Sequence, residues 1–549
     1  MSPSRPYDPF QTFLTVLVII GLGSAIYSNV LCGEFISDDY ITIVDNPAVR
    51  DFRNIPHIFH AFNTRFLVGV SFALNYAASG LDVPGYHVVN IAVHLMNSFL
   101  VYIFLLILFK TPALQNNILK NRAQDIAFFA GLIFLCHPIQ TQGVSYLTQR
   151  AVALGTLFYL LTLIYYLKAR VENSGLDYCT AGLAFLTGMF CKEMILTVPL
   201  TLLVAEWFFF GGFGKAWRQR LKPVLPFFLL VGVLPLLLLQ DRFGSALGLK
   251  GQIKVFSWPY FLTELNVLRT YLRLLVFPVN QMHEYGYPVV QRFAEPGTLF
   301  SIGLLAAVVG MGLRLYQKNR LLSFTVFWFF ITTSVEVLVV STVHRATIYE
   351  HWLYLPMVGF SIFGAVGLGL LCREEERLKR VGFFLIFMLS VLTYQRNFVW
   401  QNEILFWEDG INKAPHIPHV YLASGVAYQR KHFFSQAYQK YRDGLRLYDG
   451  HPERLTPTQR RIYARILNNL SLLSPDSAEA DDYFKEAIRI DSHNSLEHNS
   501  LAFYYYQNGQ YRQAVEAFTM LLDYHPEDPL VRRYLDLSYQ ALKGFRPPR

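Results

Sequence analysis

The segment Phe10–Leu31, FQTFLTVLVIIGLGSAIYSNVL, contains no charged residue and is long enough to cross a bilayer as one helix. Similar apolar runs recur as far as Tyr394 and then stop. Hydrophobic residues make up 53% of the 549-residue chain and charged residues 16%, against roughly 25% in soluble proteins. This composition excludes disordered, collagen-like and disulfide-scaffold classes and predicts an all-α membrane protein.

The apolar runs predict a multispanning helical module with about eleven crossings, which would place its two ends on opposite sides of the membrane. The spans lie near residues 10–31, 86–109, 125–137, 151–168, 178–191, 194–210, 223–240, 298–313, 321–341, 353–372 and 380–395. Lys and Arg concentrate, with Arg5, in alternate connectors: Lys110–Arg122, Lys168–Asp177, Lys215–Lys222, Arg314–Arg320 and Arg373–Arg380. The positive-inside rule makes those connectors cytoplasmic. We therefore expect an integral protein of a bacterial inner membrane, with a cytoplasmic N-terminus and a periplasmic tail.

The same charge pattern explains the net charge of +9, so nucleic acid is not an expected partner, whereas membrane lipids are. It leaves two large outer regions, 32–85 and 241–296, within a transmembrane domain of residues 1–396. The second contains a semi-apolar stretch, Trp258–Phe277, which the charge topology does not allow to cross. We interpret that stretch as an interfacial or re-entrant helix.

The tail, residues 397–549, has the pattern of a tetratricopeptide repeat (TPR) α-solenoid. Aligning Ala437, Ala480 and Ala514 brings an aromatic residue into register four positions later and an aliphatic residue after four more. The last interval, from position 480 to 514, is the 34 residues typical of these repeats. A generic helical bundle is the alternative. Repeats of this kind offer a concave groove for protein partners.

The first outer region holds two adjacent acids, Asp38 and Asp39, directly after a membrane span. Because neighbouring carboxylates repel each other, such a pair keeps one proton, coordinates a cation or raises the pKa of one acid. An acid with a raised pKa suits a general base. The alternative is a solvated turn, since Asp, Asn and Pro favour turns.

Other polar residues lie at the predicted outer ends of spans. His87 and His94 are seven positions apart, which favours hydrogen bonding between helices over a zinc pair at i, i+4. Five scattered cysteines indicate neither a metal site nor a disulfide framework, and a divalent metal cofactor stays open. Cations at the outer interface suit a lipid-linked phosphate, or else snorkel to lipid headgroups; they are Lys192, Arg269, Arg273 and Arg345.

The run Phe35–Tyr40 (FISDDY), followed by Asn46-Pro47, resembles the first-loop signature of polytopic GT-C glycosyltransferases fused to TPRs. The match is most similar to the transmembrane-and-TPR O-mannosyltransferase family and its bacterial relatives. It continues in order through Arg65, Ser71–Tyr76, Gly85–Asn90 with His94, His137–Gln142 with Gln149-Arg150, Cys191–Glu193 and Glu350–Pro356.

The resemblance implies transfer of a sugar from a polyprenyl-phosphate donor to an acceptor hydroxyl of protein or glycan outside the membrane. It implies that Asp38 or Asp39 is the catalytic acid and that His351, with the four interface cations, binds the donor phosphate. The substrate pocket that it implies comprises Glu34, Arg65, His87, Asn90, His94, His137, Gln142, Arg150, Glu193, Glu350 and Tyr354.

The chain also departs from the family pattern, which often has an acid in place of Gln142, an Arg in place of Trp352 and a Pro in place of Phe66. The sugar and the acceptor therefore stay open. The alternatives within this class are an oligosaccharide transferase and a transferase that acts on glycan or lipid. The alternative outside it is a non-enzymatic membrane scaffold whose TPRs recruit partners.

Overall fold

A computed structural model describes residues 8–211, 217–238, 257–337, 348–448, 455–491, 501–524 and 526–543. The chain divides into two compact units, Met1–Asn402 and Glu403–Arg549. Within the described ranges both units are built from helices, turns and loops, with no β-strand. The chain is thus an all-α protein with an apolar helical module, as its composition predicts.

The first unit begins with a long helix, a segment with two shorter helices, and a second long helix. In chain order the helices are α1 (Pro9–Ile26), α2 (Ile55–Phe62), α3 (Phe66–Ser79), α4 (Val83–Leu108), α5 (Ala123–Cys136), α6 (Thr141–Val144), α7 (Arg150–Glu172), α8 (Gly175–Gly188), α9 (Val198–Phe209), α10 (Trp217–Leu221), α11 (Leu225–Leu238), α12 (Trp258–Val276), α13 (Pro296–Lys318), α14 (Arg320–Val335), α15 (Pro356–Leu371) and α16 (Glu375–Asn397).

Each of the eleven apolar runs contains a helix within the described residues, but the helices differ in length. Among the described residues, five are long and apolar enough to cross a membrane: α1, α4, α7 with the turn before it, α13, and α16 with the turn after it. A sixth crossing is formed if α5 and α6, which meet at a 51° bend, are one broken span. The number of eleven crossings stays a prediction.

The helix α12 coincides with the semi-apolar stretch Trp258–Phe277 and falls outside the set of candidate spans. It packs along α13. On one face, the Tyr271 hydroxyl donates to the carbonyl oxygen of Tyr349 (2.9 Å) and accepts from its N–H (3.2 Å). These bonds fasten α12 to the segment that precedes α15. Its interfacial placement stays a prediction.

Two contacts anchor basic connectors that the sequence predicts on one side of the membrane. Arg122, just before α5, donates through Nη1 to the carbonyl oxygen of Cys372, just before α16 (2.8 Å). Arg320, at the start of α14, donates to the carbonyl oxygen of Phe208 at the end of α9 (3.1 Å). Arg122 thus bonds beside a second basic connector, Arg320 bonds the end of a predicted span, and the cytoplasmic assignment of the connectors stays a prediction.

The second unit is a series of helices, most of which pack closely against the next within the described parts. They are α17 (Glu403–Lys413), α18 (Pro418–Arg430), α19 (Phe434–Arg446), α20 (Pro457–Leu473), α21 (Ser477–Asp491), α22 (Leu501–Gln507), α23 (Tyr511–Tyr524) and α24 (Pro529–Leu542). The three aligned alanines are buried, and so are the aromatic residues four positions later, Tyr441, Phe484 and Phe518. Gly425 lies so close to the Tyr441 ring that a Cβ there would clash. Small residues thus let paired helices approach, as the repeat pattern requires.

Candidate active site

The two adjacent acids of the first loop have different surroundings. Asp39 is 1% exposed, and its carboxylate accepts from the backbone N–H of Ile36 (3.0 Å) and of Thr148 (2.9 Å). Asp38 is exposed, and only its backbone is held, by donation from its N–H to the Tyr146 hydroxyl oxygen (3.0 Å). Asp39 therefore ties the loop to the turn before α7, while Asp38 presents its carboxylate outward.

Burial raises the pKa of Asp39 to about 8, and the negative charge of Asp38 adds to that rise. The two backbone N–H groups oppose it but do not cancel it. At neutral pH this makes the buried acid largely neutral, which removes most of the repulsion within the pair.

A group of polar and aromatic side chains lies beside Asp38. The Gln142 amide contacts His283 through Nε2 (2.9 Å to Nδ1), and its Oε1 accepts from the His351 backbone N–H (2.6 Å). The His351 ring stacks on Tyr349, with 5.4 Å between the ring centroids and an interplanar angle of 28°. The edge of the Tyr146 ring meets His283 at 5.6 Å.

Negative charges influence one ring of the stacked pair, and positive charges influence the other. Burial, with the negative charges of Glu284 and Asp38, raises the pKa of Tyr349 to about 12. Burial, with the positive charges of Lys192, His283 and Arg65, holds the pKa of His351 well below its usual value. The stacked Tyr349–His351 pair therefore lies within electrostatic reach of an exposed acid and of a buried cation. We call these residues, Asp38, Gln142, Tyr146, Lys192, His283, Tyr349 and His351, the outer polar cluster.

Lys192 is the cation of this cluster and lies between α8 and α9. It is 5% exposed, and burial lowers the pKa of its ammonium to about 8, against the attraction of Glu336 and Glu193. In the part of the chain that the structure describes it forms no ion pair, because Glu193 pairs with Arg65 instead (3.3 Å). An anion that entered here would find an ammonium group with no counter-ion in direct contact.

Glu350 positions the 281–285 segment that carries His283. Its Oε1 accepts from the Met282 N–H (2.7 Å) and the Tyr285 hydroxyl (2.5 Å), and its Oε2 accepts from the Gln281 amide (3.1 Å). The carboxylate thus binds three donors of one segment, and its role there is to hold the segment in place.

Other predicted pocket residues form a separate group that is buried between the helices of the first unit. Arg150 is fully buried and donates from Nε to the Asn90 side-chain oxygen (2.7 Å) and from Nη2 to the Tyr86 carbonyl oxygen (3.1 Å). His94 bonds through Nδ1 to the Tyr354 hydroxyl (2.7 Å). Both of these polar groups are satisfied by protein atoms. We call Asn90, His94, Arg150 and Tyr354 the interior polar network.

The remaining predicted residues are scattered. His137 bonds the Leu275 carbonyl oxygen (3.0 Å), and His87 is buried with no hydrogen-bond partner among the residues that the structure describes. Arg269 donates to the Gly297 carbonyl oxygen and Arg273 to that of Val279, each at 3.0 Å. Those two cations lie one helical turn apart on α12. Tyr271, two positions from each, points to the cluster from the opposite side of the helix. Glu34 is partly exposed near the start of the first loop, and Arg345 falls outside the described residues.

Sequence reasoning missed Tyr146, His283 and Tyr349 as members of the cluster. Gln281–Tyr287, QMHEYGY, is a dense polar and aromatic run in an otherwise irregular connector, and that composition was the available signal. Across the described ranges, no three His, Cys, Asp or Glu side chains come together as a metal site.

Known proteins were compared with this chain. No family model matches it, and no solved structure matches it. A protein O-mannosyl-transferase of Caenorhabditis elegans is 26% identical over 425 residues, which covers 74% of this chain and 58% of the relative. Protein O-mannosyl-transferase TMTC1 of Homo sapiens is 26% identical over 84% of this chain and 57% of the relative, and human TMTC3 is 27% identical over 52% of this chain and 29% of the relative.

The chain thus spans less than two thirds of the length of these relatives. The matched regions include most of the apolar module, and the resemblance seen in the loop motifs agrees with them. The homologues of this chain are therefore the transmembrane and TPR-containing protein O-mannosyl-transferases.

Proposed function

We propose that this chain is a membrane glycosyltransferase that moves a sugar from a polyprenyl-phosphate donor to a Ser or Thr hydroxyl of a protein. Transfer would occur on the outer side of the membrane, by one displacement that inverts the anomeric carbon. The names of the homologues support a sugar transfer to protein, and they make mannose the first sugar to test. The helical repeats of the second unit support a protein acceptor or protein partner, because such repeats bind polypeptides.

The observation that carries the proposal is the pairing of an exposed acid with a buried cation around one aromatic pair. Besides burial, the negative charge of Asp38 helps to raise the pKa of Tyr349, and the positive charge of Lys192 helps to lower the pKa of His351. The two rings stack on each other. Sugar transfer needs a base for the acceptor hydroxyl and a positive charge for the leaving phosphate. The outer polar cluster supplies both.

Asp38 is the better candidate for the base because its carboxylate can be reached by an acceptor. Asp39 uses its carboxylate oxygens to hold two backbone N–H groups, and the protein encloses it. We therefore assign Asp38 as the catalytic residue and Asp39 as the residue that positions it.

The proposed step exchanges one bond for another at the anomeric carbon. The acceptor oxygen forms its bond to C1 while the bond from C1 to the phosphate oxygen breaks. The hydroxyl proton goes to the Asp38 carboxylate, and the electron pair leaves with the polyprenyl phosphate. The Lys192 ammonium balances the charge that develops on that phosphate, so the leaving group needs no proton.

The test is a transfer assay with the full chain in lipid nanodiscs. Polyprenyl-phosphate mannose and polyprenyl-phosphate glucose are offered in parallel with a mixture of unglycosylated proteins from the outer compartment. Mass spectrometry should show hexose additions on Ser or Thr from one donor, with release of polyprenyl phosphate in equal amount. Comparing glycoproteins and glycolipids of cells with and without the gene identifies natural acceptors. Sugar that appears only on lipid or glycan would contradict the protein-directed proposal.

A further inference from the structure

A cavity of about 770 Å³ lies at the opposite end of α1 and α4 from the first loop. It is lined by the start of α1, the connector after α4, the start of α5 and the start of α16. Because α4 has 26 residues, the cavity and the first loop are roughly 40 Å apart along that helix. The volume lies in the range typical of small-molecule sites. No residue of the outer polar cluster lines this cavity.

The acids around this cavity already have partners. Glu375 pairs with Lys379 (2.6 Å), and the Asp125 carboxylate accepts from the Gln11 amide (3.1 Å). The Asp8 side chain accepts from the backbone N–H of Phe10 and caps α1 (2.9 Å). The carboxylates are therefore used within the protein and do not call for a cation.

Two of the cations around the cavity have no acidic partner among the residues that the structure describes. Lys120 forms no ion pair there, and Arg122 uses only Nη1, which donates to backbone carbonyl oxygens. The other two guanidinium nitrogens of Arg122 are buried and have no hydrogen-bond acceptor among those same residues. A ligand with a negative charge would complement this end of the cavity.

The wall of the same cavity is apolar and open to the outside. Phe10 is 65% exposed and Phe383 is 51% exposed, and Leu14 and Val18 extend the surface along α1. On a membrane-spanning helix such a surface faces acyl chains. The cavity therefore joins an anion-complementary end to an apolar wall that runs along the helices.

We infer that this cavity binds one anionic phospholipid, with its phosphate at Lys120 and Arg122 and its acyl chains along α1 and α16. A neutral phospholipid lacks the net charge, and a free phosphate ion leaves the apolar wall uncovered. The lipid would tie α1 to α5 and α16, since all three helices line the site. Its headgroup lies on the face that the charge pattern predicts to be cytoplasmic.

The test is native mass spectrometry of the detergent-purified full chain, titrated with phosphatidylglycerol or phosphatidylcholine of the same acyl chains. We expect one phosphatidylglycerol to bind in preference to phosphatidylcholine. Lys120→Gln should weaken that binding about fivefold, since one Lys near an anionic lipid is worth ~1 kcal/mol. Lys318→Gln, on an exposed cation at the end of α13 outside the cavity, is the matched control and should leave binding unchanged.

Two further measurements test whether the ligand is a lipid or another anion, and whether weaker binding comes from the changed site or from misfolding. Inorganic phosphate and glycerol 3-phosphate should fail to displace phosphatidylglycerol, whereas displacement by either would overturn the assignment to a lipid. Phe383→Asn, which alters the wall and leaves both cations in place, should also weaken phosphatidylglycerol binding. Equal binding of the two lipids, or equal binding by wild type and Lys120→Gln at the same melting temperature, would overturn the proposal.

Discussion

The outer polar cluster and the interior polar network contain similar residue types, but their hydrogen bonding differs. In the network, the Arg150 guanidinium donates to Asn90, Ser71 and Tyr86, so protein atoms use its donors. In the cluster, Asp38 is exposed and Lys192 is buried without an ion pair in the described part of the chain. Polar groups that the protein satisfies hold helices together, whereas groups left for an outside partner indicate a site.

The largest effect expected is on catalysis at Asp38. Asp38→Asn removes the proposed base while keeping the size and exposure of the side chain, so the transfer rate should fall ~10²–10⁴-fold with little change in melting temperature. Asp45→Asn, on an exposed acid of the same loop, is the matched control and should retain its rate. An Asp38→Asn enzyme with a normal rate would place the base elsewhere.

The next effect is on stability within the interior polar network. Arg150→Leu leaves the Asn90 side-chain oxygen and the Ser71 and Tyr86 carbonyl oxygens without their donors, which should lower the free energy of unfolding by about 3–5 kcal/mol. The rate per folded molecule should stay near that of wild type. Arg53→Leu, on an exposed side chain, serves as the control. If Arg150→Leu lost activity at unchanged stability, Arg150 would belong to the site.

A somewhat smaller effect is expected at Lys192. Lys192→Met removes the charge that would balance the leaving phosphate, so kcat should fall ~10²-fold. Stability should not fall, because a buried ammonium without an ion pair is costly to the folded state. Lys318→Met, on an exposed cation at the end of α13, is the control. Unchanged kcat with a raised KM would show that Lys192 binds the donor without assisting the reaction.

The last prediction concerns Asp39, for which the change in the free energy of unfolding is smallest when taken per pH unit. Since its pKa rises from 3.8 to about 8 on folding, the folded protein keeps a proton that the unfolded chain releases. The free energy of unfolding should therefore fall as pH rises from about 4 to about 8, by at most about 1.4 kcal/mol per pH unit. Asp39→Asn should remove this contribution, seen as the difference between the two proteins in thermal unfolding. Parallel curves would show that Asp39 is ionised when folded.

The helices were predictable from the sequence because each depends on local periodicity. Apolar runs gave the helices of the first unit, and Ala437, Ala480 and Ala514 marked positions that are buried in the second. The lengths were less predictable. The run 178–191 becomes α8, which ends at Gly188, because the Phe190 and Cys191 N–H groups donate to the Thr187 and Gly188 carbonyl oxygens in a tight turn.

The site was predictable only in part, because exposure and hydrogen bonding depend on residues distant in sequence. Asp38 and Asp39 are the same residue type at adjacent positions, so the sequence does not distinguish them. Their hydrogen bonding differs because the N–H of Thr148, more than a hundred positions away, bonds only Asp39. His283 lies in a connector without periodicity, and Gln142 brings it to His351. In the sequence, Arg150 and Lys192 are both polar residues that interrupt apolar runs. Only the hydrogen-bond partners seen in the structure distinguish the structural role of Arg150 from the proposed functional role of Lys192.

The central claim is that Asp38 performs chemistry while Arg150 maintains the fold. Its most direct test is the initial rate of sugar transfer, divided by the amount of folded protein, for Asp38→Asn and Arg150→Leu in the same nanodiscs. We predict a rate at least about 100-fold below wild type for Asp38→Asn and a rate within about threefold of wild type for Arg150→Leu. The reverse order, or equal loss in both variants, would contradict the claim.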